Sequence, residues 1–485
     1  MELEQRAPSS VSDAREEGSA RTPSWVILML LSVAQFMVII DATVVNVALP
    51  SIGKGLRFAT AADLQWVVTA YVLVTGGLTL LGGRITDLLG RKSLFLTGLI
   101  IFTGASLAAG LASSPVFIVV ARVVQGLGAA LLTPAALSII TTTFVGPRRT
   151  TAFAVWGGLG AGGSAVGVVL GGVLTSWFGW QWVFFINVPI GVAAAAIAFY
   201  VLPASPNASP KLQSLDLGGA VLLIAGLGSL VFSITSAASH GWFSTQALVS
   251  LISAAGLLTA FALFERRSKD PVVPSSIWRV RSLVSGNTLF LGASAVMGGA
   301  FFLSSLYLQR VLGASALEAG LAFLPLVLAV GGGAALASRL VPHTGVRPVL
   351  LVGLVTEAGG ALLLSQVPST ASYFINVMPG FLTIGIGLGF SFAGAPIVVM
   401  ADVPASESGL ASGLMQTAHE IGISLGVALL SAVATSIAIQ SGLAEGYRQG
   451  MLVAAVIAGL LAVLSLTAVP AVRPTGTGER RRHGA

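Results

Sequence analysis

Cysteine is absent from the 485 residues, which removes disulfides, thiolate metal sites and thiol nucleophiles together. Charge is scarce as well: Asp, Glu, Lys and Arg make up 9% of the chain, too few to solvate a water-soluble protein of this length. The four histidines, His240, His343, His419 and His483, are scattered. Without H-E-x-x-H or another ligand spacing, no metal centre is expected. No polar stretch is long enough to hold a soluble domain. The formal net charge of +7 comes from short loops and tails, where basic residues record membrane orientation, so nucleic acid is excluded as a partner.

What fills the chain is oil. Apolar residues account for 55% and the mean hydropathy is +0.92. They recur in runs of about 18 or more, each able to cross roughly 30 Å of hydrocarbon at about 1.5 Å per residue. The expected fold class is an all-α polytopic membrane protein. Turns and charged stretches divide it into about fourteen spans. Six are centred near Gln35, Val74, Gly104, Gly128, Gly163 and Ala193, two near Ala225 and Gly256, and six near Ala295, Ala329, Val355, Gly385, Gly422 and Gly459. The expected plan is a tail over residues 1–23, a six-helix bundle over 24–203, a linker over 204–215, two additional transmembrane helices over 216–264, a linker over 265–283, a second six-helix bundle over 284–470 and a basic tail over 471–485. With the N-terminus in the cytoplasm, about 20 of the 25 basic residues fall on the cytoplasmic side, as the positive-inside rule requires. The segment Asn207–Ser209 fits a glycosylation acceptor but lies on that same side and is discarded. Gly158, Gly160 and Gly163 match G-x-G-x-x-G, yet no strand precedes them, so no dinucleotide site is expected.

The chain repeats weakly. "GLGAALLTP" (Gly126–Pro134) is echoed by "GLGFSFAGAP" (Gly387–Pro396), and "GRKSLFL" (Gly90–Leu96) by "GVRPVLL" (Gly345–Leu351). Such duplication around an inserted pair of spans is the trace of a transporter built from repeats.

Four stretches stand in order on consecutive spans and loops: "IDATVVNVALP" (Ile40–Pro50), "GGRITDLLGRK" (Gly82–Lys92), "RVVQGLGAA" (Arg122–Ala130) and "GGSAVGVVLGG" (Gly162–Gly172). Together they resemble the signatures of the major facilitator superfamily. The first, with fourteen spans, resembles its drug:proton antiporter branch of the QacA/EmrB type. That resemblance implies two six-helix bundles that alternate access, antiport of protons, and no cofactor beyond the proton gradient. Two positions depart from the family pattern: Leu88 stands where an arginine is usual, and Val168 where a proline is usual in the motif the family associates with exporters.

The residues support a physical account of their own. Gly83, Asp87, Gly90, Arg91 and Lys92 form a charged loop at the end of the second span. Gly90 permits a tight turn that returns the cations to the membrane surface, so the loop is expected to gate one conformation. Gly163, Gly167 and Gly171 recur every four residues and make a bare stripe for close helix approach, expected to be an interface that slides or rocks.

Few ionisable groups fall inside spans. Asp41 lies roughly 13 Å below Pro50 and Arg122 roughly 10 Å below Pro115, counted at about 1.5 Å per residue. Opposite charges at one depth can pair or exchange partners, and Gln125, one turn from Arg122, can extend the network. Glu420, near the middle of the thirteenth span, has no cation at its depth and is the first choice for proton carrier. Glu357 is the comparable second, and His419 sits beside Glu420 with its ring about 100° around the helix. Asn46, Gln125, Trp156 and His419 are the candidate cavity residues. Tyr71, Phe301 and Tyr307 are among the aromatics that could face a cation.

The function expected is a proton-coupled exporter of lipophilic, cationic compounds by alternating access in a bacterial-type inner membrane, with both termini cytoplasmic. Its partners are the bilayer, protons and a lipophilic small molecule. A rival within the class is an exporter of one metabolite or endogenous antibiotic. Rivals outside it are a membrane-embedded enzyme and a transport-inactive sensor.

Overall fold

The computed structural model describes residues 24–144, 147–202, 217–241, 243–267, 279–368, 370–403 and 408–469. Both expected tails and most of both expected linkers lie outside them. Among the described residues the chain is helical. Six helices form a first set: α1 (Ser24–Gly55), α3 (Trp66–Leu89), α4 (Arg91–Gly110), α5 (Pro115–Thr143), α6 (Pro147–Trp177) and α8 (Asn187–Val201), with the short turns α2 (Ala61–Leu64) and α7 (Trp182–Phe185) between them. A pair follows, α9 (Leu217–His240) and α10 (Thr245–Arg267). The second set of six is α11 (Arg281–Leu306), α12 (Ala316–Thr344), α13 (Val346–Leu364), α14 (Met378–Met400), α15 (Ser408–Ser441) and α16 (Leu443–Ala468). Among the described residues, 12 segments are long and apolar enough to cross a membrane. The other two long helices, α3 and α6, contain shorter apolar segments at Trp66–Thr79 and Gly163–Trp177. All fourteen centres read from the sequence fall inside helices.

The two sets share one packing plan. In the first, α4 lies on α5, α3 on α5, α1 on α6 and α4 on α8; in the second, α13 lies on α14, α12 on α14, α11 on α15 and α13 on α16. Glycine is what permits these approaches. A Cβ at Gly126 would stand 2.6 Å from the Tyr71 carbonyl oxygen of α3, and one at Gly128 2.5 Å from the Phe102 nitrogen of α4. In the second set Gly385 meets Leu326 of α12 and Gly387 meets Glu357 of α13 in the same manner. The contacts therefore relate Gly126 to Gly385, whereas the echo of "GLG" aligns Gly126 with Gly387. This is a correction of two residues, because on a helix the packed face, rather than the letter pattern, sets the register. Gly90, at φ 89°, joins α3 to α4, and Gly345, at φ 83°, joins α12 to α13. Both turns use backbone that a side chain strains.

The sets meet along α6–α12, α3–α15 and α1–α11, and α9 covers the α3–α15 seam. α10 is the outermost helix: Val249, Leu251 and Ile252 are all exposed. Trp25, Trp177, Phe178, Trp182 and Phe243, near helix ends, are exposed too, where rings sit at a membrane–water boundary.

Candidate functional site

Asp41 and Arg122 are 2.5 Å apart, Oδ2 to Nη1, and both are buried. α1 and α5 bring them together from one half of the molecule. The carboxylate also accepts from Gln125 Nε2 at 2.8 Å and Asn187 Nδ2 at 2.9 Å, both on Oδ1. Arg122 donates through Nη1 to Gln125 Oε1 at 2.7 Å and through Nε to the Val67 carbonyl at 2.9 Å. Its guanidinium lies over the Tyr71 ring, 4.1 Å from the centroid, a cation–π contact. Asn187 also bonds Ser106 Oγ at 3.0 Å, and that hydroxyl donates to the Phe184 carbonyl at 2.9 Å. Removing either charge leaves the other buried and uncompensated, which costs about 3–5 kcal/mol. Gln125 is thus a fully buried member of this cluster, not the cavity residue expected, because both ends of its amide are taken by the ion pair. Sequence reasoning missed Asn187 and Ser106, and had Tyr71 only as one ring among several.

Glu420 and His419 meet different halves of the molecule. His419 Nδ1 is 2.7 Å from Ser294 Oγ of α11, and its ring stacks on Phe290 with centroids 5.3 Å apart, so it belongs to the second half. Glu420 points across the seam. Its Cβ lies against Gly76 of α3, where a side chain would collide with it. Its carboxylate accepts from Gln416 Nε2, one turn back, at 2.9 Å, and among the described residues no cation pairs with it. α3 thus carries both Tyr71, which meets Arg122, and Gly76, which meets Glu420. Glu357 is separate from all of these. It is sealed between α13 and α14, with Oε2 accepting from Ser391 Oγ at 3.3 Å and Oε1 buried without a partner.

The polar contacts that join the halves divide by seam, and Asn46 is the expected residue among them. Asn46 donates back to the Ala42 carbonyl, while its own carbonyl accepts from Ser305 Oγ of α11 at 2.6 Å. Gln309 adds a bond to the Val47 carbonyl at 2.8 Å. On the α6–α12 seam the Leu317 amide donates to Ser176 Oγ at 3.1 Å. On the α3–α15 seam Thr417 reaches the Gly76 carbonyl at 3.0 Å, and the Gln65 amide bonds both Thr235 of α9 and Ser431 of α15. All but the Thr417 bond cluster toward the ends of the helices that carry Gly55 and Trp177, so the halves are closed together there.

The glycine stripe is a correction. Gly163 faces Phe36 and Ile39, Gly167 faces Ile40 and Thr43, and Gly171 faces Val44 and Val47, so the bare stripe binds α6 to α1 within one half. The seam with α12 uses the neighbouring face, where Val168 and Gly172 meet Gly320 and Leu317. In the charged loop Arg91 Nε donates to Ser138 Oγ of α5 at 2.8 Å. Lys92 Nζ reaches the Phe199 and Leu202 carbonyls at the end of α8, each at 2.7 Å. A Cβ at Gly83 would meet open space. The side chains of Asp87 and Trp156 lie outside the described residues.

Comparison with known proteins agrees with this architecture. The Major Facilitator Superfamily profile matches residues 31–427. The puromycin resistance protein pur8 of Streptomyces alboniger is 37% identical over 405 residues, 82% of this chain and 79% of its own. The cephamycin export protein CmcT of Amycolatopsis lactamdurans is 38% identical over 427 residues, 85% of this chain and 86% of its own. Among solved structures, a bacterial homologue of the human lysosomal transporter Spinster, in an inward-facing and occupied conformation, superposes with a TM-score of 0.68. Its identity is 18%, over 94% of this chain and 98% of that one. The xylose transporter XylE from E. coli, inward open, gives 0.64 at 14% identity, over 93% and 97%. A polytopic bundle of two matched six-helix sets, a profile match spanning the buried cluster, and relatives named for resistance and export together make this chain a member of the Major Facilitator Superfamily.

Proposed function

We propose that the chain is a proton-driven exporter of lipophilic compounds, of the fourteen-span drug:proton antiporter type, in a bacterial inner membrane with both termini in the cytoplasm. In that orientation the closed end faces outward. The observation that carries the reading is Glu420: an acid of the second half, placed on the α3–α15 seam against Gly76, with a neutral glutamine as its partner. Tyr71, on the same helix as Gly76, meets the Arg122 guanidinium of the Asp41–Arg122 pair. A change of charge at Glu420 therefore falls on α3, the helix that also touches that pair. A lipophilic cation enters the deprotonated interior from the cytoplasmic side and is held by the acid. The halves rock, a proton arriving from outside takes the cation's place, and the neutral carrier returns empty. The chain's own residues supply the charge that alternates; the gradient supplies the direction.

A second, narrower reading is export of a single antibiotic or metabolite. It is favoured by relatives named for one compound each: puromycin, cephamycin, tetracenomycin C and lincomycin.

Ethidium efflux from energised cells tests the first reading. The native chain should expel the dye and lose this on collapse of the proton gradient, and Glu420→Gln should abolish efflux while leaving membrane expression unchanged. Gradient-driven efflux that persists at the native rate in Glu420→Gln overturns the assignment of the carrier. A panel of chemically unrelated compounds separates the readings, since a narrow exporter protects cells against one of them alone.

A further inference from the structure

At the closed end lies a half-enclosed cavity of about 280 Å³, close to the small end of the range of ligand pockets, about 300 Å³. Its walls come from both halves. Ala59 and Thr60, in the connection after α1, face Leu303 and Leu306 of α11, the π-helical turn Tyr307–Val311 that continues α11, and Thr435 and Tyr447 of α15 and α16. The walls are mostly apolar, and the rim carries Ile439 and Leu443, both exposed where the bundle meets its surroundings.

Two polar groups in this cavity lack partners. Arg310 makes no ion pair or hydrogen bond among the described residues, and its Nη2 rests against Gly53 of α1. Thr435, 8% exposed, has its hydroxyl buried without a partner. The tyrosines differ: Tyr307 donates to the Pro368 carbonyl at 2.7 Å, the Tyr447 hydroxyl pairs with Ser304 at 3.4 Å, and the two rings stack with centroids 4.2 Å apart. They present faces rather than donors. A greasy cavity with an unanswered guanidinium and an unanswered hydroxyl at its wall is matched by one chemistry. Arginine binds carboxylate or phosphate oxygens, and the apolar walls take alkyl. A lipophilic cation is repelled.

We propose that this cavity binds an anionic amphiphile, a carboxylate or phosphate head on an alkyl chain, with Arg310 and Thr435 holding the head and the chain leaving past Ile439 and Leu443. Because Ala59, Thr60 and Gly53 belong to one half and Arg310 and Thr435 to the other, an occupant bridges the seam and favours the closed end. The site is distinct from the buried acids and does not depend on proton coupling.

Native mass spectrometry of the purified full chain, titrated separately with phosphatidylglycerol, dodecanoate and neutral diacylglycerol, tests it. The expected result is saturable binding of one anionic amphiphile, with diacylglycerol bound much more weakly. Arg310→Gln should weaken the anion by about tenfold or more, the factor for losing one charge-assisted hydrogen bond. Arg310→Lys should restore most of that loss and Thr435→Val should cost a few-fold. Arg310-dependent binding of phosphatidylglycerol alone assigns the site to a membrane lipid; the same dependence for dodecanoate alone assigns it to a soluble surfactant-like anion. Equal binding of diacylglycerol, or anion binding that ignores Arg310→Gln, overturns the proposal. Should Arg310→Gln not fold, the contrast between anionic and neutral lipid on the native chain and Thr435→Val still decides.

Discussion

Corresponding helices of the two halves meet over different chemistry. In the first half, α1, α3 and α5 bring together Asp41, Tyr71 and Arg122. In the second, α11, α12 and α14 bring together Phe301, Phe323 and Phe381, stacked with centroids 4.4 and 5.4 Å apart. The offset that carries Gly126 to Gly385, 259 residues, carries Arg122 to Phe381. The duplicated glycines keep the backbone approach alike, so each half holds its helices at similar spacing while the side chains in the junction diverge. At this junction the first half carries an ion pair and the second a ring stack. A junction built on stacked rings is held by burial plus roughly 0.5–1.5 kcal/mol per aromatic pair and carries no charge of its own. A junction built on a buried ion pair gains little net stability from it but can report a change of charge nearby.

That contrast can be broken by substitution. The largest effect is expected for Arg122→Leu, which strands the Asp41 carboxylate and should cost about 3–5 kcal/mol, read as a lowered melting temperature of the purified protein and lost efflux. The double variant Asp41→Asn with Arg122→Gln should regain most of the stability and none of the transport; equal melting of single and double variants would show that the ion pair is not what sets this half apart. Next comes Phe381→Ala, expected to lose about 3 kcal/mol, the low end for emptying a phenylalanine site. Transport per folded molecule should keep its dependence on the gradient, and a changed dependence would mean that the stack also takes part in coupling. Gly90→Ala and Gly345→Ala should each cost about 1–3 kcal/mol from backbone strain, and similar losses from the pair would confirm that the two turns are equivalent. The smallest effect belongs to Glu357→Gln. Sealed between α13 and α14, away from the seam, it should leave efflux within about twofold of native and the melting temperature no lower, since the amide keeps the hydrogen bond and removes a buried acid. Loss of efflux here and not in Glu420→Gln would exchange the roles of the two acids.

Much of the fold was legible because the bilayer imposes a length on every span, and glycine and proline mark the gaps; all fourteen centres lie on helices. The Asp41–Arg122 contact was legible because ionisable residues are rare within spans, so two at one depth have few alternatives. Asn187 and Ser106 were not, since a neutral polar residue, whether at a helix start like Asn187 or within a span like Ser106, resembles many others until its partner is seen. That His419 and Glu420 point in different directions follows from the helical step of about 100°, but which neighbour each meets does not. The stripe of Gly163, Gly167 and Gly171 shows the same boundary: periodicity reveals that a face is bare without saying which helix fills it, and α1 rather than the opposite half does so.

The placement of α9 makes the two long seams unequal. Its contacts with α3 and α15, and the clasp of Thr235 and Ser431 on Gln65, shutter one flank of the protein, while the α6–α12 flank has no such cover among the described residues. A lipid lying along the bundle therefore touches the α6–α12 joint itself on one flank, and on the other only the inserted pair that screens it.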